Sequence, residues 1–172
     1  VSQAAITYRS IGVIRSEHTV AEQTPIQPVY AADCLGRVEV IPEFTEGLRD
    51  LDGFSHIFLI YHFHRSGPAP LLVKPFLQDV ERGVFATRAP RRPNAIGLSV
   101  VELLRREGSV LHVAGVDVLD GTPLLDLKPY VGRFDCLSTT RNGWQDDVDE
   151  DTARQRGSRD DGGGGRGSQR DR

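Results

Sequence analysis

The chain has 172 residues, 38% of them hydrophobic and 26% charged, with a formal net charge of −3. That length suits one domain, or one domain plus an appendage. The balance of charge argues against a generic electrostatic grip on nucleic acid, and no apolar run reaches the ~18 residues of a membrane-spanning helix.

Residues Ala5–Ser16 are β-branched around Gly12 and predict one strand or two short ones. His18–Pro28 is polar and held by Pro25 and Pro28, a stiff loop. Gly36–Ile41 alternates Val38 and Val40 with Arg37 and Glu39, the period of a half-buried strand. Thr45–Leu51 predicts a short helix, with Thr45 as its cap and Gly53 as its stop. His56–His64 is apolar and aromatic, which predicts a central strand buried on both faces. Ser66–Pro75 is loop, Gly83–Arg88 a short strand, and Ala89–Asn94 a loop stiffened by two prolines. Ile96–Leu104 and Val110–Leu119 form a hairpin across a Gly-containing connection. Asp120–Pro123 is a turn, and Leu124–Val131 a last strand.

Seven or eight closely spaced strands with so little helix point to an antiparallel sheet closed as a barrel or sandwich. The expected architecture is mostly β: one antiparallel barrel domain over residues 1–140, with one or two short helices. Residues 141–172 are expected to be a polar, Gly-rich, disordered tail. From Gln145 onward the only large aliphatic residue is Val148, too little to offset the entropy of ordering. Gly162, Gly164 and Gly167 match a nucleotide-loop pattern formally, but no strand and helix flank them. Cys34 and Cys136 stand alone, without a zinc-type spacing. The N-terminus shows no basic region followed by an apolar core, so a cytoplasmic protein is expected.

Three places look chemical. Arg88, Arg91, Arg92 and Asn94 lie in a loop held by Pro90 and Pro93, where preorganised guanidinium groups suit a carboxylate or phosphate. Surface ion pairing is the plainer alternative. Asp117, Asp120 and Asp126 sit in an apolar strand–turn–strand, where carboxylates need partners; Asp120-Gly121 also reads as a simple hairpin turn. His62 and His64 would lie ~7 Å apart on one strand face. Spacing indicates no third ligand, so no metal is expected. Ser99, inside a strand, is a poor place for an exposed nucleophile.

These residues resemble a known family. Ile11-Gly12-Val13-Ile14-Arg15-Ser16, Gly53-Phe54-Ser55-His56, Phe63-His64, Gly83 through Arg88, Arg92-Pro93-Asn94 with Ile96-Gly97-Leu98-Ser99, and Asp120-Gly121-Thr122-Pro123 through Tyr130 are similar, in order, to the TsaA-like (YaeB-like, TrmO) family. The resemblance implies a β-barrel methyltransferase that uses S-adenosylmethionine to methylate N6 of threonylcarbamoyl-adenosine beside the tRNA anticodon. It implies a homodimer with the cofactor near the subunit interface. The implied cofactor contacts are Gln27, Pro28, His64, Arg65, Arg88, Leu98 and Asp117-Val118-Leu119-Asp120. Arg65 departs from the Gln or Asn common in the family. Arg91, Arg92, Asn94, Lys128 and Tyr130 are the expected contacts to tRNA, and Asp120 and Asp126 the candidate bases. Many members carry a second, C-terminal domain where this chain has its polar tail. A barrel that binds the cofactor without catalysis, or a His-dependent metal hydrolase, are the rival readings.

Overall fold

The structure, a computed structural model, describes residues 4–158. Strands β1 (Gly12–Arg15), β2 (Leu35–Val40), β3 (His56–His62), β6 (Ile96–Glu107), β7 (Val110–Ala114) and β8 (Thr122–Pro129) close into a barrel in the order β1-β2-β7-β6-β3-β8, every neighbour antiparallel. Strands β4 (Leu72–Val73) and β5 (Arg82–Gly83) pair separately. Closure leaves the barrel without an unpaired edge.

The core follows from the period of two along each strand. Val38 and Val40 on β2, Ile57, Leu59 and Tyr61 on β3, and Leu111 and Val113 on β7 all point inward and are buried. On β6 the inward positions are Gly97, Ser99, Val101 and Leu103. Gly97 faces Tyr61 across the ladder, and a Cβ there would overlap the Tyr61 ring at 2.1 Å. A bare backbone at that position is what lets the ring lie within the wall. The β6–β7 hairpin turns through Gly108 and Ser109, Gly108 taking a φ of +62°, a left-handed conformation that favours glycine.

Several expectations change. Residues of the predicted first strand pair only from Gly12 to Arg15. The predicted helix over Thr45–Leu51 is two 3-10 segments, Pro42–Leu48 and Leu51–Gly53. Thr45 does not cap it; its hydroxyl donates to the Pro42 carbonyl at 2.8 Å inside the first segment. Pro42 suits the first position of either kind of helix, Gly47 in the interior weakens an α-helix, and the tighter coil still lays Leu48 on the core, with Phe44 and Leu51 beside it. Gly83–Arg88 is not a strand: pairing stops at Gly83, and Val84–Ala86 form a 3-10 turn. Strand β3 is buried on its inner face only, since outward Phe58 and Ile60 keep partial exposure.

The C-terminal stretch also differs within its described part. After the short helix α1 (Gly132–Asp135), a 3-10 segment spans Gly143–Asp147 and a helix α2 spans Glu150–Ser158. Asp149 caps α2, accepting from the Thr152 amide at 2.8 Å and the Thr152 hydroxyl at 2.7 Å. Order here comes from capping and polar contacts with the barrel's loops rather than from apolar burial. The Gly-rich remainder, including Gly162, Gly164 and Gly167, lies outside the described residues.

Candidate functional site

Loops that leave the barrel strands bring Gln27, Arg88 and Asp117 into one neighbourhood. Gln27 stands ahead of a 3-10 turn, Pro28–Tyr30, that opens on a proline. Its side-chain oxygen accepts a hydrogen bond from Arg88 Nη1. Pro28 packs close to Gly115, one strand end away. The Arg88 charge acts in turn on Asp117 and Tyr61.

Asp117 is the centre of a buried polar chain. Its Oδ1 accepts the Ser99 hydroxyl proton at 2.6 Å, and Tyr61 lies 3.0 Å from the same Ser99 oxygen. Ser99 has one proton, given to Asp117, so Tyr61 must donate to Ser99. Burial pushes the Asp117 carboxyl up to about 6, against the lowering effect of Ser99, of its own backbone amide and then of Arg88. Burial, with Asp117 adding to it, holds the Tyr61 phenol above its usual range.

Neither Ser99 nor Tyr61 was in the expected set. Ser99 is 2% exposed on an inward position of an apolar strand. A polar group there needs a partner, and that was the available signal. The remaining members of the 117–120 stretch hold the turn. The Val118 carbonyl accepts the Ser16 hydroxyl at 2.6 Å, and the Leu119 carbonyl accepts the Thr122 hydroxyl at 2.7 Å. Asp120 accepts from the Ser16 amide at 3.2 Å and pairs with Arg15 at 3.7 Å.

A second group of expected residues lies on the outer face of the β6–β3–β8 wall. Register sets Leu98 beside Ile60 and Ile60 beside Asp126, with Val100, Phe58 and Lys128 in the next row. Lys128 pairs with Asp126 at 2.8 Å, and the Tyr130 ring lies 5.5 Å from that of Phe58. Asp126 and Asp120 are therefore not neighbours in one catalytic pair. Leu98 points outward while the next residue, Ser99, points in and bonds Asp117, so the expected contacts Leu98 and Asp117 lie on opposite sides of one strand.

His64 and Arg65 are exposed just past β3. Arg65 reaches the Thr19 carbonyl at 3.4 Å. Burial, then the Arg65 charge, then His62 lower the His64 pKa. Replacing Arg65 with Gln removes the second cause, so His64 should titrate at a higher pH in Arg65→Gln than in the parent. An NMR pH titration checks this; an unmoved midpoint would show that Arg65 does not act on the imidazole. In the arginine loop, Arg91 donates to the Pro68 carbonyl at 3.1 Å and Arg92 to the Thr87 carbonyl at 3.2 Å. Asn94 is exposed beside them.

Among the described residues, one group of three could hold a metal ion: Glu17, His18 and Cys34, with ligand atoms within 4.8 Å of one another. It does not include His62 or His64. Burial and a hydrogen bond with Glu17 push the Cys34 thiol up to about 11. His18 Nε2 lies 2.9 Å from the Val116 carbonyl, which can only accept, so that nitrogen carries its proton. The group forms part of the wall of a cavity of about 950 Å³ between the 17–34 loop and α2.

The chain is similar to known proteins. Residues 13–136 match the family model described as the tRNA-methyltransferase O N-terminal domain. A Pyrococcus abyssi protein named "Probable S-adenosyl-L-methionine-binding protein" is 55% identical over 139 residues, which are 81% of this chain and 76% of that protein. A human protein named tRNA (adenine(37)-N6)-methyltransferase is 36% identical over 132 residues, 73% of this chain but 30% of its own length. A crystal structure of TrmO from Pseudomonas aeruginosa superposes with a TM-score of 0.71 at 41% identity, covering 83% of this chain and 63% of that one. The chain thus spans most of the archaeal relative and under two thirds of the bacterial and human ones.

Proposed function

The chain belongs to the family of the tRNA-methyltransferase O N-terminal domain, and from that premise we propose that it binds S-adenosylmethionine and methylates N6 of threonylcarbamoyl-adenosine beside the tRNA anticodon. One observation carries the cofactor reading: an arginine, Arg88, hydrogen-bonded to Gln27, stands near enough to a desolvated carboxyl, Asp117, to act on its charge. The cofactor has a carboxylate, an ammonium, a sulfonium and a ribose diol, and this pair offers a complement to both signs of charge. The cofactor supplies a methyl group already activated by the sulfonium, so the protein's main task is alignment.

Arg88 holds the carboxylate end, and Gln27 fixes the guanidinium in place. Asp117 faces the cationic or hydroxyl groups, its orientation set by Ser99 and Tyr61. Asp120 acts by holding the turn, because Ser16 and Arg15 already occupy its oxygens. Asp126 is the second candidate to accept the proton lost from the substrate nitrogen, its own oxygens held by the Leu127 amide and by Lys128. It stands on the outer wall with Lys128 and Tyr130.

A homodimer fits the division of the expected contacts. Leu98 is 54% exposed, and Ile96 and Leu104 on the same face of β6 are also exposed. A strip of outward apolar side chains on a closed barrel suits a partner surface. A cofactor touching Leu98 from one protomer and Arg88 from its partner would then lie between subunits. Sedimentation should give twice the chain's mass. Among the described residues no helix is long and apolar enough to cross a membrane, and the proposed tRNA substrate is in keeping with work in the cytoplasm.

Calorimetry with S-adenosylmethionine and its demethylated product tests the cofactor reading; both should bind at micromolar levels, and failure of both with folded protein would reject it. Arg91 divides the labour of the arginine loop. Arg91→Ala should leave cofactor affinity unchanged, weaken tRNA binding, and flatten the salt dependence by about one phosphate contact. Filter binding across a salt series checks the slope, and an unchanged slope would remove Arg91 from the RNA surface. A second reading, cofactor binding without catalysis, is favoured by the archaeal relative, whose name speaks only of binding.

A further inference from the structure

We infer that residues 142–158, which follow the part of the chain matched to the family, act as a positioning strap for the cofactor site. The inference rests on the reading of Gln27 and Arg88 as cofactor contacts. These two residues lie in loops outside the barrel ladder, so no strand pairing sets one against the other. The strap holds both loops. At one end, the Gly157 carbonyl accepts the Ile26 amide at 3.0 Å, immediately before Gln27. Gly157 also packs against Tyr30, where a Cβ would stand 2.5 Å from the ring. Any larger residue must lift α2 away or displace Tyr30. At the other end, the Trp144 indole N–H donates to the Ala86 carbonyl at 2.8 Å, two residues before Arg88.

Two further ties hold the strap to the segment between β4 and β5. Gln78 donates to the Trp144 carbonyl at 3.2 Å, and Arg156 pairs with Asp79 at 3.2 Å. The Gln27–Arg88 bond therefore closes a loop of contacts that runs through Trp144 and Gly157. A site ordered before the ligand arrives loses less entropy on binding. Trp144 and Gly157 act here through Arg88 and Gln27, as positioning residues.

The test uses the full chain with Trp144→Phe, which keeps the ring but loses the indole donor, and Gly157→Ala. Each should weaken S-adenosylmethionine binding about two- to tenfold, the worth of roughly one hydrogen bond. In an Arg88→Ala background Trp144→Phe should cost almost nothing more, because the group it positions is gone, and Gly157→Ala should keep only the part of its effect that acts through Gln27. A purely structural role would add its full effect in that background, and that result would overturn the inference, as would unchanged affinity in both single variants. Hydrogen exchange gives a readout independent of the cofactor. In Gly157→Ala the amides of Ile26, Tyr30 and Ala31 should exchange faster while those of Leu59 and Val113 in the barrel do not. If the parent chain fails to bind the cofactor, the functional reading falls and the strap is judged by exchange alone; unchanged exchange at Ile26 and Tyr30 would overturn it.

Discussion

Asp117→Asn should weaken S-adenosylmethionine binding by about ten- to a hundredfold, the loss of a charge-assisted contact of about 1.5–3 kcal/mol. The same change should stabilise the barrel at neutral pH. Burial raises the folded-state pKa of Asp117 from 3.8 to about 6. With the folded pKa above the unfolded one, the native state binds the proton more tightly. Its stability therefore falls as pH rises from about 4 to 6, and the full penalty of about 1–3 kcal/mol persists above that window. An amide at this position cannot ionise and should not show that fall. Its oxygen can still accept the Ser99 hydroxyl, so the chain through Tyr61 survives. Urea unfolding at several pH values, parent against variant, reads the difference, and calorimetry reads the affinity. A variant that binds normally would remove Asp117 from the cofactor site. One that loses stability at pH 8 would mean that its carboxylate is paired more strongly than Ser99 and Arg88 account for.

Arg88→Ala should cost the cofactor a comparable amount, about 1.5–3 kcal/mol in affinity, if it removes a charge-assisted bond. Its effect on folding should be small. Arg88 is exposed and, among the described residues, its side-chain hydrogen bond goes to Gln27, a neutral amide in a loop, so surface bookkeeping applies. The contrast with Arg91→Ala is informative: Arg88 should affect the cofactor and Arg91 the RNA. Equal loss of cofactor affinity in both would make the arginine loop a single clamp.

The sequence made the barrel legible because the signal is local. Val38 and Val40, or Ile57, Leu59 and Tyr61, announce an inward face through spacing alone. Arg88 and Asp117 were visible as an arginine in a proline-stiffened loop and a carboxylate among apolar residues. What they meet was not visible. Ser99 and Tyr61 are 38 residues apart in the chain and meet because β3 and β6 pair with Leu59 opposite Ser99. The serine then reads as an ordinary strand residue. Helix α2 was missed for a different reason. Its apolar content is low, but Asp149 as a cap, with Glu150 and Asp151 in the first turn and Arg156 in the last, is a complete set of helix-end signals. The 3-10 turns at Pro42–Leu48 and Val84–Ala86 turn like short helices and are too brief to show a period.

Methyl transfer itself is the most direct test. The full chain is incubated with S-adenosylmethionine carrying an isotopically labelled methyl group and with tRNA that bears threonylcarbamoyl-adenosine, and the digested nucleosides are analysed by mass spectrometry. The account predicts the label on N6 of that nucleoside, absent when Asp117→Asn or Arg88→Ala replaces the parent at low cofactor concentration. Unlabelled nucleosides from a protein that calorimetry shows to be saturated with cofactor would contradict it, and would leave a barrel that binds S-adenosylmethionine without using it on this RNA.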